Sequence, residues 1–365
     1  MQVDAKQEPP VGIIFDCDLG DSIDDTLALG FLHGLATQEH PECRLASVSI
    51  TKSNLQAAAF AEATGRFYSD QANRNIPKRY RRYRGMVIGL SDRGWSSDAT
   101  PMLTAPLNRR DDSGEPLYSH EIERFTDTAD PATTIRNALT AQHDQNAVVV
   151  LTGPATNLAR LLDVRGAKDL IAAKVRFLSV MGGVYPRGGP EYNIASDIAG
   201  AKKLFAEWPT PVVASGAEVG DALQFPGESI ENEFAWAEHH PIVDAYHAHQ
   251  EMPYDTPCWD LTAALHAVRP GEGYFTTSAQ GTIRVLDDGR TEFKPGSAGK
   301  HSYLILQASQ KARIIQAFRV VISAQPAARE VPEYIRRIIE ERQQEEERKL
   351  EEERRRARPS PDPTK

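Results

Sequence analysis

Six short apolar runs rich in β-branched residues recur through the first 215 positions: VGIIF at 11–15, LASVSIT at 45–51, MVIGL at 86–90, AVVVL at 147–151, VRFLSVM at 175–181 and PVVA at 211–214. Runs of this length between polar segments read as buried strands. Helical stretches are predicted between most of them, over about Thr26–Leu35, 55–68 and 131–143, from near Asn157, and over 197–207. Strands that alternate with helices pair through crossovers, which puts them parallel with helices on both faces. The expected fold class is α/β: an open, mostly parallel, Rossmann-like β-sheet flanked by helices. Ligands in such sheets bind beyond the carboxyl ends of the strands. The segment 92–130, rich in Pro, Asp and Gly, reads as a long loop.

Composition narrows the class. Of 365 residues, 40% are hydrophobic and 25% charged. That supports a large core and excludes a chain disordered throughout, a collagen and a disulfide-stapled miniprotein. A net charge of −9, from 42 basic and 51 acidic residues, argues against a global grip on nucleic acid. Cys17, Cys43 and Cys258 are too few and too scattered for a metal knuckle or a disulfide framework, and they fit a reducing compartment.

The N-terminal MQVDAKQEPPVG has no apolar leader segment, and no run approaches the ~18 apolar residues of a membrane span. A cytoplasmic location is expected, although a leader already cleaved would leave the same sequence. After Pro332 the chain becomes almost wholly charged. Glu345 precedes Lys349 by four residues, as Glu351 does Arg355 and Glu352 does Arg356, a spacing that supports a solvated helix. Sustained apolar heptad positions are missing, so a coiled coil is not predicted. Three parts follow: a flexible stretch 1–10, one catalytic domain over 11–328, and a charged tail over 329–365.

The densest chemistry lies at the end of the first strand. Asp16, Asp18, Asp21, Asp24 and Asp25 put five carboxylates within ten residues. Packed carboxylates repel one another and need a cation to stay ionised, and a hard divalent ion prefers such oxygen ligands. An ion-free acidic loop opening a helix would account for Asp24 and Asp25 but not for Asp16 and Asp18, which alternate at the strand end. The spacing is not that of an EF-hand, whose loop ends in a Glu at position 12.

Haloacid-dehalogenase-like phosphatases and nucleoside hydrolases both place a DxD at the end of a first strand. FDCDLGDSIDDTLAL resembles the nucleoside hydrolase signature more closely, with a loop two residues longer than the shortest form. Three further blocks resemble that family in the expected order. They are VVVLTGPATN at 148–157, Met181-Gly182-Gly183 through Glu191-Tyr192-Asn193 to Asp197, and CWDLTAA at 258–264. The phosphatase reading, with Asp16 as nucleophile, accounts for the first block alone.

The resemblance to the inosine/uridine-preferring nucleoside hydrolases implies Ca²⁺-dependent hydrolysis of the N-glycosidic bond of ribonucleosides, giving ribose and free base. It implies that Asp18 binds the ion and acts as general base on water. Asp25, the Thr152 carbonyl and Asp260 complete the protein ligands, and Asp16 orients the loop from behind. Asp24 would bind a ribose hydroxyl, and Glu191 and Asn193 the 5′ side of the sugar. The family's Gly-Asn pair after the second strand is replaced by Lys52-Ser53-Asn54, so Asn54 or Lys52 would take the ribose contact. Trp259 stands where many members carry a His; an aromatic there stacks on the base, which points to a purine. Trp95 and Tyr185 are candidate second stacking partners.

Plainer roles stand beside these. Thr152 can simply end a strand, Trp259 can be a core residue, and Asp260, Asn157 and Asp197 can cap helices. His247, His249, Tyr254 and Asp255 read as surface residues, which leaves the general acid unassigned. The expected partner is a small-molecule nucleoside, with no nucleic acid and no membrane, in a homo-oligomer (dimer or tetramer). A non-catalytic ribose-binding protein is the alternative of a different class.

Overall fold

The computed structural model of the chain describes residues 9–81, 83, 86–91 and 100–356, the last three without their side chains. Its strands are β1 (Val11–Cys17), β2 (Cys43–Ile50), β3 (Val87–Leu90), β4 (Ala147–Leu151), β5 (Val175–Met181), β6 (Val212–Ser215), β7 (Gln224–Phe225), β8 (Thr256–Pro257), β9 (Thr276–Thr277), β10 (Gly281–Val285), β11 (Thr291–Pro295) and β12 (His301–Ile305). The main sheet runs β3-β2-β1-β4-β5-β6-β12-β10-β11, with β9 on β12, and β7 and β8 form a small ribbon apart. From β3 to β12 all pairings along this path are parallel, while β10 is antiparallel to both of its neighbours. This is the α/β sheet expected from the sequence.

The central strands show why the runs are uninterrupted. All seven residues of β1 and all five of β4 are buried. Alternate side chains of a strand face opposite ways, and here each face has its own helical cover. Ile13, Phe15, Val148 and Val150 join one core, with the helices Ile23–Ala36 and Trp259–Val268. Ile14, Val149 and Leu151 join the other, with the helices Pro131–Thr140 and Ile198–Glu207. A strand covered on both sides has no polar face to show.

The segment 92–130 is not loop throughout. Residues 92–99 lie outside the described part, but Pro101–Asn108 form a helix and Phe125–Asp127 a 3₁₀ turn. Pro101 occupies the first helical turn, where its missing N–H costs nothing. Met102 and Leu103 anchor the helix in the core although Pro106 lies within it. Packing thus overrides a composition that reads as irregular. Also unforeseen is the hairpin β10–β11. GTIRV buries alternate residues, and the turn carries Gly289 at φ +80. Alternation followed by Asp-Gly was the available signal.

The tail is helical over Glu333–Arg356, and Lys349 pairs with Glu345 at 2.9 Å, as the spacing predicts. The other two predicted pairs involve side chains outside the described part. Among the described residues no helix is long and apolar enough to cross a membrane. The three cysteines are free and buried.

Burial leaves a pH signature in the core. His33 stacks on Tyr68 at 4.9 Å, its Nε2 has no hydrogen-bond partner among the described residues, and burial pushes its pKa down to about 4. The unfolded chain takes up a proton near pH 6.5 and the folded one only near 4, so His33 makes the fold less stable as pH falls through that window. His33→Phe is expected to gain on wild type by about 1.4 kcal/mol per pH unit between pH 6 and 4. Urea unfolding of both proteins at several pH values checks this; a constant difference would refute it.

Candidate active site

The strand order reverses between β1 and β4, so the connections on either side leave in opposite directions and a crevice opens at the carboxyl ends. Asp18 follows β1 and Thr152 follows β4 at this point, and the Thr152 N–H donates to the Asp16 carbonyl at 2.9 Å. Two glycines allow the close approach. Gly20 has φ +110, and a Cβ there would also lie 2.6 Å from Leu103 Cδ1. A Cβ on Gly153 would lie 2.8 Å from the Asp18 backbone nitrogen. The resulting cavity of about 520 Å³ is lined by Asp18, Asp24, Asp25, Thr152, Trp259 and Asp260, with Glu191, Tyr192 and Asn193 on one wall.

Three carboxylates of the segment after β1 meet one from far along the chain and all are nearly inaccessible: Asp18, Asp24, Asp25 and Asp260 are each at most 4% exposed. Asp25 lies beside both Asp18 and Asp260, close enough for like charges to repel. Burial, first of all, raises the pKa of all four; mutual repulsion adds to it at each of Asp18, Asp25 and Asp260. The helix Ile23–Ala36 offsets part of this cost, because Asp24 and Asp25 lie in its positive first turn. Asp24 Oδ2 also accepts from the Asp260 N–H at 3.0 Å, tying the two helix starts together.

Behind the cluster, Asp16 is fully buried, accepts from Asn157 Nδ2 at 2.8 Å, and is pushed up by desolvation to about 7. In front of it stands Lys52, just past β2. Its Nζ lies 3.2 Å from Asp18 Oδ2, pairs with Asp21, and donates to the Tyr192 hydroxyl at 2.9 Å. The Tyr192 hydroxyl in turn donates to Asp21 at 2.8 Å.

Among the described residues no three His, Cys, Asp or Glu side chains stand splayed around a centre ready to hold a metal. Asp18 faces Lys52 instead, Asp24 the Asp260 N–H and Asp25 the Thr152 hydroxyl. The donor set is nonetheless all hard oxygen: three carboxylates and the Thr152 carbonyl around one cavity. This chemistry fits a hard dication.

The sequence profile of the inosine-uridine preferring nucleoside hydrolases matches residues 13–320. The chain belongs to that family. Its members are hydrolases acting on N-glycosyl compounds. Solved structures share the fold at low identity. A plant nucleoside hydrolase is 18% identical, with 87% of this chain and 100% of that one covered and a TM-score of 0.59. A purine-preferring ribonucleoside hydrolase from Gardnerella vaginalis is 20% identical, with 86% and 98% covered and a TM-score of 0.60. An inosine-uridine preferring nucleoside hydrolase from Bacillus anthracis is 15% identical, with 86% and 99% covered and a TM-score of 0.60. No curated protein matches the chain.

Within this nucleoside hydrolase, several residues expected at the site hold it together in ways their type alone does not reveal. The Asn193 amide donates to the Thr152 carbonyl at 3.1 Å, and the Thr152 hydroxyl donates to Asp25 Oδ1 at 3.0 Å. Glu191 lines the cavity while accepting from the N–H groups of Gly183, Asn193 and Ile194, as the cap of a short helix. Trp259 is half-buried on the cavity wall, with its indole N–H on Asp221 at 2.8 Å, and so is not a closed core residue.

Other residues take different places. Asn54 is not among the cavity-lining residues; its carboxamide oxygen caps the helix Leu55–Ala72 by accepting from the Gln56 and Ala57 N–H groups. Asn157, read as a cap, instead supports Asp16, whereas Asp197 does cap its helix. Asp260 is the second residue of its helix rather than the cap. Tyr185 is buried against Tyr303 away from the cavity, and Trp95 lies outside the described residues. His247 pairs with Glu231, and neither it nor His249, Tyr254 or Asp255 lines the cavity. Tyr192, Asp221 and the position of Lys52 beside Asp18 were missed. Tyr192 stands between Glu191 and Asn193, whose block did mark the segment. Asp221 meets Trp259 across 38 residues and Lys52 meets Asp18 from the end of the neighbouring strand, contacts that nothing local signals.

Proposed function

We propose that the protein hydrolyses the N-glycosidic bond of ribonucleosides in a Ca²⁺-dependent way, releasing ribose and free base, with a preference for purines. The observation that carries this reading is the convergence of Asp18, Asp24, Asp25, Asp260 and Thr152 on one cavity at the reversal of the strand order. Asp18, Asp25, Asp260 and the Thr152 carbonyl would hold the ion. When bound, calcium supplies fixed positive charge that orients the sugar diol and lowers the pKa of a nearby water.

Asp18 accepts the proton of the attacking water, a role suited to a carboxylate already at the cavity surface. Asp24 receives a ribose hydroxyl, and its bond to the Asp260 N–H keeps it aimed at the diol. Glu191 and Asn193 face the 5′ side of the sugar from one wall. Asn193 also fixes the Thr152 carbonyl through its own bond. Trp259, held by Asp221, offers a flat face for the base. The carboxylates that line the cavity favour the positive charge developing on the sugar in an oxocarbenium-like transition state.

Reducing-sugar release from inosine, adenosine, guanosine, uridine and cytidine tests the bond type and the preference together. Release from none of them by calcium-replete protein would end the reading. Stacking on an aromatic side chain contributes ~1–3 kcal/mol. Trp259→Leu is therefore expected to lower kcat/KM for purine nucleosides about 10–100-fold and for pyrimidine nucleosides less. An equal loss on both would remove the stacking role.

A further inference from the structure

Lys52 carries a charge that the four converging carboxylates alone do not predict. It is only 4% exposed, yet its ammonium ends among Asp18, Asp21 and Tyr192 rather than in water. A buried ammonium needs paired oxygens, and here it takes one from Asp18, the residue assigned above both to the ion and to the water. We propose that Lys52 is a positioning and affinity-setting residue: a tethered cation that holds Asp18 and the 18–22 loop in place before calcium binds, and weakens calcium binding by its own charge. This inference rests on the calcium reading above.

The geometry supplies both halves of the role. Without the ion, Lys52 neutralises part of a cluster whose members otherwise repel one another. With a dication present, Lys52 can yield Asp18 and stay paired with Asp21 and the Tyr192 hydroxyl, which already bond to each other at 2.8 Å. A unit positive charge held within a few ångströms of a dication in a partly screened site lowers its affinity by about tenfold or more.

The test is calorimetric titration of calcium into the full chain at low ionic strength, for wild type, Lys52→Met and Lys52→Arg. Lys52→Met is expected to bind calcium at least about tenfold more tightly than wild type, and Lys52→Arg, which keeps the charge, within about threefold. Thermal melts give a second readout of opposite sign. Lys52→Met should melt below wild type without calcium and gain more than wild type when calcium is added. Equal calcium affinity in wild type and Lys52→Met would overturn the inference while leaving the calcium reading intact. No uptake by wild type would remove both. Should Lys52→Met fail to fold without the ion, refolding it in calcium and titrating with a competing chelator, alongside Lys52→Gln, gives the same comparison.

Discussion

Asp18→Asn is expected to reduce nucleoside hydrolysis at least about 10³-fold while the protein still folds. Loss of a general base alone typically costs about 10²–10⁴-fold, and this substitution also removes one ligand of the proposed ion. Stability should move the other way. Asp18 is buried and its carboxyl is held above the usual range, first by desolvation, with Asp24 adding repulsion and Lys52 partly offsetting both. A neutral amide of the same shape relieves repulsion within the cluster, and Lys52 keeps Asp21 as a partner. Without calcium the variant should therefore melt at or above wild type, and with calcium below it. Activity assays beside melts with and without calcium read both effects. A variant that keeps its activity would remove Asp18 from the chemistry.

Calcium itself should act as a folding ligand. Ion binding to the native state alone stabilises by RT ln(1 + [L]/Kd), about 2.7 kcal/mol at a hundredfold excess over Kd. For a domain of this size that is a rise in Tm of roughly 5 °C. Asp25 and Asp260 give the reason the effect should be large: they are buried and repel each other, and a dication turns that repulsion into coordination. A chelator should abolish both the shift and at least about 99% of the activity, because water activation and diol orientation depend on the same charge. Unchanged melting and unchanged turnover after thorough chelation would exclude the ion.

Local pattern carried a large part of this protein. β4 and β5 run over the same residues that their β-branched runs predict, since strands covered on both faces are apolar over most of their length. The DxD at the end of β1 announced a charged site, because five carboxylates in ten residues have no structural use at a buried strand end. The helix with two prolines at Pro101–Asn108 was illegible for the opposite reason: its stability comes from Met102 and Leu103 packing on distant elements.

The sequence by itself determined the layer order of the fold, the acidic segment at its mouth and the family, because each of these is written in short-range periodicity or in blocks of contiguous residues. Only the tertiary structure decided that Asn54 caps a helix, that Asn193 grips the Thr152 carbonyl, that Tyr185 belongs to the far core, and that Lys52 reaches Asp18. Hydrogen bonds and ion pairs depend on distances of a few ångströms between residues far apart in the chain. Those distances are fixed when the sheet closes and the helices seat, and no local pattern encodes them.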